Sequence, residues 1–138
     1  MKIGFIGAGN LASALIHGSS QSDFFNSNEF YAYDVFKTSL DNISVYGVKP
    51  LSSVAELIEI CEMIILAVKP KDFPKLLQDN ARFFMSKDPF VVSVAAGTEL
   101  SYIRSLIGYD ARLARIMPNI NARVCGSATA VCVNDRVT

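Results

Sequence analysis

A doubly wound, mostly parallel α/β sheet with helices on both faces is the fold class that three observations predict. Apolar runs suited to buried strands alternate with helix-periodic segments along the chain, the pattern of a parallel sheet with right-handed crossovers. The first run, Ile3-Gly4-Phe5-Ile6, leads straight into Gly7-Ala8-Gly9 and a helical face of Leu11, Ala12, Leu15 and Ile16, so a glycine turn joins strand to helix. The second run, Phe30-Tyr31-Ala32-Tyr33, closes on Asp34, 22 residues after Ala12.

The first unit has the Gly-x-Gly-x-x-Ala form of the Rossmann-type dinucleotide motif. Gly7 makes the turn, Gly9 lets a pyrophosphate approach the backbone, and Ala12 keeps helix and strand close. The helix start brings unpaired N–H groups and about half a positive charge to the phosphates. An acidic residue about 20 positions on accepts hydrogen bonds from the adenosine ribose hydroxyls, the role expected of Asp34. A carboxylate there repels a 2′-phosphate, which favours NADH over NADPH. Lys37, three residues further, works against that preference.

The remaining elements follow in order. A brief helix or loop is expected across residues 33–42, then a small strand at Val48-Lys49. Ser52 or Ser53 caps a helix through Val54, Leu57, Ile58 and Cys61, with Glu56 near the capping-box position. Met63-Ile64-Ile65-Leu66-Ala67-Val68 is a continuous apolar run, expected as a parallel strand covered on both faces. Pro70 ends it and suits a first helical turn. One helix is predicted over residues 71–84, with Phe73, Leu76, Leu77 and Ala81 forming its buried stripe. Phe90 to Val94 makes the next strand, and Thr98 is the expected cap of a helix that carries Leu100, Ile103, Leu106 and Ile107 and closes at Gly108. Arg112 to Met117 is the following strand, stopped by Pro118-Asn119, and residues 128–133 form a last strand at the sheet edge.

Composition narrows the function classes. With 51% apolar and 19% charged residues the chain is globular rather than disordered, and 138 residues suffice for one domain with its own core. Thirteen basic and thirteen acidic residues cancel without a basic cluster, which argues against a nucleic-acid partner. Cys61, Cys125 and Cys132 lack the paired spacing of a zinc or redox motif and are expected to be reduced; no metal site is predicted. Neither a secretory pattern nor a membrane-spanning apolar run is present, so a cytoplasmic location and no membrane partner are expected.

Four blocks at predicted strand ends carry a resemblance: Gly-Phe-Ile-Gly-Ala-Gly-Asn-Leu-Ala at 4–12, Ala-Val-Lys-Pro at 67–70, Val-Val-Ser-Val-Ala-Ala-Gly at 91–97 and Arg-Ile-Met-Pro-Asn at 115–119. Together they resemble the pyrroline-5-carboxylate reductases along nearly the whole chain. The resemblance implies that the backbone of Ile6, Gly7, Ala8, Gly9, Asn10 and Leu11 holds the pyrophosphate and that Asp34 stands at the adenosine ribose. It places Ala67, Val68, Lys69 and Pro70 along the inner ribose and nicotinamide, and Ala95, Ala96 and Gly97 beside the ring. Met117 and Asn119 then approach the meeting point of nicotinamide and substrate. Many relatives carry small polar residues or an Asn/Arg pair where this chain has Asp34, a departure that bears on NADP preference.

Plainer roles stand beside these. Lys69 also fits a solvated strand end, Asn10 a helix cap, Asn119 a turn after Pro118, and Met117 ordinary core. His17, the sole histidine, falls beyond the phosphate-facing end of its helix and is expected to be structural. The implied reaction is hydride transfer from NAD(P)H to the C=N of 1-pyrroline-5-carboxylate to give L-proline, and no residue is nominated as catalytic. The resemblance further implies that residues 1–138 are the cofactor domain alone, inactive by itself, and that a helical region outside the chain builds a homo-oligomer and supplies most contacts to the imine substrate. A non-catalytic dinucleotide-binding module and a β-hydroxyacid-dehydrogenase-like oxidoreductase are the alternatives. A methyltransferase with a similar glycine loop is disfavoured by the blocks at 67–70 and 117–119.

Overall fold

The computed structural model describes residues 1–95, 97–118 and 129–134. Among them, seven strands form one sheet in the order β3-β2-β1-β4-β5-β6-β7. In chain order these are β1 (Lys2–Ile6), β2 (Glu29–Tyr33), β3 (Lys49–Pro50), β4 (Met63–Leu66), β5 (Phe90–Ser93), β6 (Leu113–Pro118) and β7 (Thr129–Val133). All neighbours are parallel except β6 and β7. The order reverses between β1 and β4, the doubly wound arrangement expected, and β7 is the edge strand expected.

The helices are α1 (Asn10–Ser19), α2 (Asp23–Asn26), α3 (Lys37–Ser44), α4 (Val54–Ile60), α5 (Phe73–Asp79), α6 (Ala81–Lys87) and α7 (Leu100–Ile107). Alternation along the strands sorts the core into two layers. Ile3 and Phe5 of β1 join Phe30 and Ala32 of β2 under α1 and α3, with Ala12, Ile16 and Ile43 buried there. Ile6, Tyr31, Ile64, Leu66, Val91 and Leu113 face the other way, against Leu57, Ile58, Leu77, Phe84 and Ile103 of the later helices. Gly4 belongs to this second face: a Cβ on it would lie 2.8 Å from Leu57 and 2.9 Å from Cys61 Sγ, so α4 sits against β1 at a distance only glycine permits. Burial pushes the Cys61 thiol up to about 12; it is free, and fully rather than half-buried. The side chains of Cys125 and Cys132 lie outside the described residues.

Several expectations are corrected. The brief element after β2 is an eight-residue helix, α3, and the small strand lies at Lys49–Pro50, one residue later than expected. The four-residue helix α2, capped by Ser22 accepting from the Phe25 N–H, was not foreseen. β4 is fully buried on one face only; Met63 and Ile65 are half-buried at the margin of the α1-side layer. The single helix over 71–84 is three pieces: a 3₁₀ turn at Pro70–Asp72, then α5, then α6. Asn80 divides the last two, its side-chain amide donating to the Leu76 carbonyl at 2.8 Å, a local bond that competes with the helical ladder. Thr98 is not the cap of α7; Glu99 holds that position and Thr98 is buried. β6 starts one residue later than expected, at Leu113, and includes Pro118, its last residue, which pairs with Thr129. For α4, Ser53 is the cap, accepting from the Glu56 N–H at 3.1 Å. Glu56 reaches back to Ser52 N and Oγ, one residue before the usual capping-box partner.

Candidate functional site

The carboxyl ends of β1, β2, β4 and β5 border a groove of about 890 Å³ at the point where the strand order reverses, the place where open α/β sheets bind ligands. Its first wall is the glycine loop and the opening of α1. Gly7 turns at φ +102°, and a Cβ there would meet the Ala67 carbonyl at 2.8 Å; this glycine is required by the chain's own packing. Gly9 differs. It has no positive φ, and a Cβ on it would meet nothing within 4 Å. Among the described residues nothing occupies the space over Gly9, so a group approaching from the groove reaches backbone there. Gly9 is also the N-cap of α1, with no side-chain cap bond. Asn10 is therefore the first helical residue and not the cap, and it lines the groove together with Leu11.

Asp34 forms the second wall at the end of β2. Its Oδ2 accepts from the Ala8 N–H at 2.7 Å and its Oδ1 from the Phe36 N–H at 2.8 Å, so one carboxylate ties the glycine loop to the segment after β2. The Gly7 N–H adds a bond to the Tyr33 carbonyl at 2.8 Å. Each carboxylate oxygen retains acceptor capacity after one such bond, which leaves Asp34 able to receive hydroxyl donors from the groove. The third wall is Ala67, Val68, Lys69 and Pro70 beyond β4, with Lys71 and Asp72 in the 3₁₀ turn. Lys69 is exposed on the rim. Val94 and Ala95 close the β5 side.

The structure thus brings Gly7, Gly9, Asn10, Leu11, Asp34, Ala67, Val68, Lys69, Pro70 and Ala95 together on one groove. Ile6 and Ala8 are buried beneath it, and Ala8 takes part through its N–H. Gly97 is an exposed turn residue at φ +71° and is not part of these walls. Met117 contributes backbone to the β6–β7 ladder opposite Ala130, while its side chain lies outside the described residues, as do Ala96 and Asn119 altogether. His17 stays away from the groove: its Nδ1 lies 2.7 Å from the Tyr46 hydroxyl, joining α1 to the turn after α3. Val35, Phe36, Ser39, Lys71, Asp72 and Val94 also line the groove and were missed. A signal existed for Val35 and Phe36, two large apolar residues just past a strand's carboxyl end that belong to no buried stripe. No group of acidic, histidine or cysteine residues suited to a metal occurs among the described residues. The titratable side chains of the groove, Asp34, Lys69, Lys71 and Asp72, suit holding and orienting a charged ligand.

Comparison with known proteins agrees with this geometry. Pyrroline-5-carboxylate reductase from Escherichia coli is 33% identical over 141 residues, covering 99% of this chain and 51% of the relative. The structure of pyrroline-5-carboxylate reductase from Coxiella burnetii superposes with a TM-score of 0.89 at 25% identity, over 99% of this chain and 50% of that one. Pyrroline carboxylate reductase from Plasmodium falciparum, solved with NADP bound, has the same fold with a TM-score of 0.82 at 24% identity, over 100% and 50%. The chain spans about half the length of the curated relatives it matches. The resemblance read from the four strand-end blocks is borne out, and the fold is that of an NAD(P)-binding Rossmann domain. A family model matches residues 2–97, and the chain belongs to that family, the NADP oxidoreductases described as coenzyme F420-dependent.

Proposed function

We propose that residues 1–138 are the dinucleotide-binding domain of a pyrroline-5-carboxylate reductase, and that the domain favours NADH over NADPH. The observation that carries this reading is the open backbone at Gly9 beside the Asp34 carboxylate, on one groove at the sheet's switch point. In this reading the backbone from Ile6 to Leu11 receives the pyrophosphate at the start of α1, where unpaired N–H groups favour an anion. Asp34 accepts from the adenosine ribose hydroxyls and disfavours a phosphate on the same sugar by charge. Ala67, Val68, Lys69 and Pro70 position the inner ribose and nicotinamide, with Ala95 beside the ring. When bound, the reduced nicotinamide supplies the hydride that converts the C=N of 1-pyrroline-5-carboxylate into the C–N of L-proline. The chain's own share is orientation and exclusion of water, and no side chain is assigned as acid or base.

The proposal extends to a cytoplasmic protein that forms a homo-oligomer through a helical region outside this chain, with neither nucleic acid nor membrane as partner. The balanced charge supports the former exclusion. Among the described residues no helix is long and apolar enough to cross a membrane.

NADPH is the second reading, and two observations favour it. The first turn of α3 carries Lys37 and no acidic residue, with Ser39 in the groove wall, and the Plasmodium falciparum neighbour was solved with NADP. Calorimetric titration of the chain with NADH, NADPH and S-adenosylmethionine separates the possibilities. Saturable binding of both nicotinamide nucleotides, tighter for NADH, is expected. Tighter NADPH binding overturns the preference alone, whereas binding of S-adenosylmethionine with no response to either nucleotide overturns the family's chemistry here. The full-length gene product is expected to reduce 1-pyrroline-5-carboxylate, and reduction of a hydroxyacid-derived ketone instead would shift the substrate assignment.

A further inference from the structure

From the groove's outer end we infer that Phe36 is the platform on which the adenine ring of the dinucleotide stacks, an assignment that rests on the dinucleotide reading above. Val35 and Phe36 are 75% and 67% exposed, yet both line the groove. Phe24, the other exposed phenylalanine among the described residues at 54%, makes an edge contact with Phe30 at 6.4 Å. Among the described residues the ring of Phe36 has no aromatic partner. Its place in the chain is equally unexplained by folding. Phe36 is the N-cap of α3 and makes no side-chain cap bond, although Ser, Thr, Asn or Asp there would satisfy an open N–H.

The connectivity of a dinucleotide explains both features. With the pyrophosphate over Gly9 and the ribose at Asp34, the base projects beyond Asp34, toward the segment 35–36. The Phe36 N–H is bonded to Asp34 Oδ1 at 2.8 Å, so the residue that meets the ribose also fixes the backbone that carries the ring. Lys71 and Asp72 line the same groove. An aromatic face offers adenine a flat apolar surface of matching size, and such stacking requires no base-specific hydrogen bond. A phenylalanine at the cap position, costly for an isolated helix, then serves the ligand.

The chain contains no tryptophan, which permits a direct test with ADP, a ligand that keeps adenosine and pyrophosphate and lacks nicotinamide. Phe36→Ala is expected to bind NADH and ADP about tenfold more weakly, with its melting temperature unchanged. Phe36→Trp is expected to restore affinity to within about twofold of wild type, and ADP binding is expected to quench the fluorescence of the introduced indole. Unchanged ADP affinity in Phe36→Ala, or ADP bound by Phe36→Trp without quenching, overturns the platform while leaving the dinucleotide reading intact. A wild-type chain that binds neither NADH nor ADP overturns both.

Discussion

The two halves of the groove are built by different means. On the β1–β2 side, one charged side chain does the joining: Asp34 accepts from Ala8 and from Phe36, and loop and strand end are cross-tied. On the β4–β5 side short apolar side chains, Ala67, Val68, Pro70, Val94 and Ala95, line the groove, with the charged Lys69, Lys71 and Asp72 beside them. That side is held by ladder continuation, with Ala67 N–H donating to Ile6 and Val94 N–H to Leu66. The contrast separates two tasks. In the proposed reading the first half discriminates by charge and hydrogen bonding, so a single substitution there is expected to change which ligand is preferred. At its apolar positions the second half provides a wall without side-chain donors or acceptors, and substitution there is expected to change how much space remains.

The largest expected effect breaks the seam between the halves. Gly7→Ala forces a side chain into a positive-φ turn and against the Ala67 backbone at 2.8 Å, and is expected to destabilise the chain by about 2–4 kcal/mol in chemical denaturation. Gly9→Ala is its counterpart: stability should stay within about 1 kcal/mol of wild type while NADH affinity falls at least about tenfold, because the new methyl occupies the approach of the pyrophosphate. Equal stability losses at the two glycines would erase the distinction between a packing glycine and a ligand-facing one.

Asp34→Ser comes next. Two bonds to a carboxylate are lost, and a stability decrease of about 1–3 kcal/mol is expected, together with a relaxed NADH-to-NADPH affinity ratio. A lowered stability with an unchanged ratio would make Asp34 purely a brace of the first half. The smallest effect lies away from both halves. Hydrogen bonds from the Ser52 hydroxyl and N–H hold the Glu56 carboxyl below its ordinary value. A depressed folded-state value stabilises above the ordinary carboxylate range, and the contribution disappears as pH falls through the folded value. Glu56→Gln should therefore melt slightly below wild type near neutral pH, converge with it in acid, and leave NADH affinity unchanged at every pH. A change in affinity would couple the α4 cap to the groove.

Much of the site was legible because its parts are local. Gly7, Gly9 and Ala12 announce themselves by spacing, and Asp34 and the Ala67–Pro70 block by standing where an apolar run stops. Other features were hidden for the same reason. The break at Asn80 is decided by a side chain choosing the Leu76 carbonyl over a role in the ladder, and hydrophobic periodicity runs through that position undisturbed. Thr98 reads as a cap, yet the fold buries it and its carbonyl accepts from Arg115 of β6 at 3.1 Å, a partner that arrives only when β6 takes its place in the sheet. Phe36 reads as one more apolar residue until its exposure and its groove are known.

Strand-helix alternation, the glycine turn and the acidic strand end, all properties of near neighbours along the chain, were enough to specify a doubly wound sheet and the rim on which a dinucleotide would lie. Assembly decided the rest. The bond from Ala8 N–H to Asp34 spans 26 residues and exists only because β1 and β2 pair in parallel register, Ile6 beside Tyr33. The same pairing lets Asp34 hold the glycine loop, since backbone donors separated along the chain converge on one carboxylate only after the strands have been laid side by side.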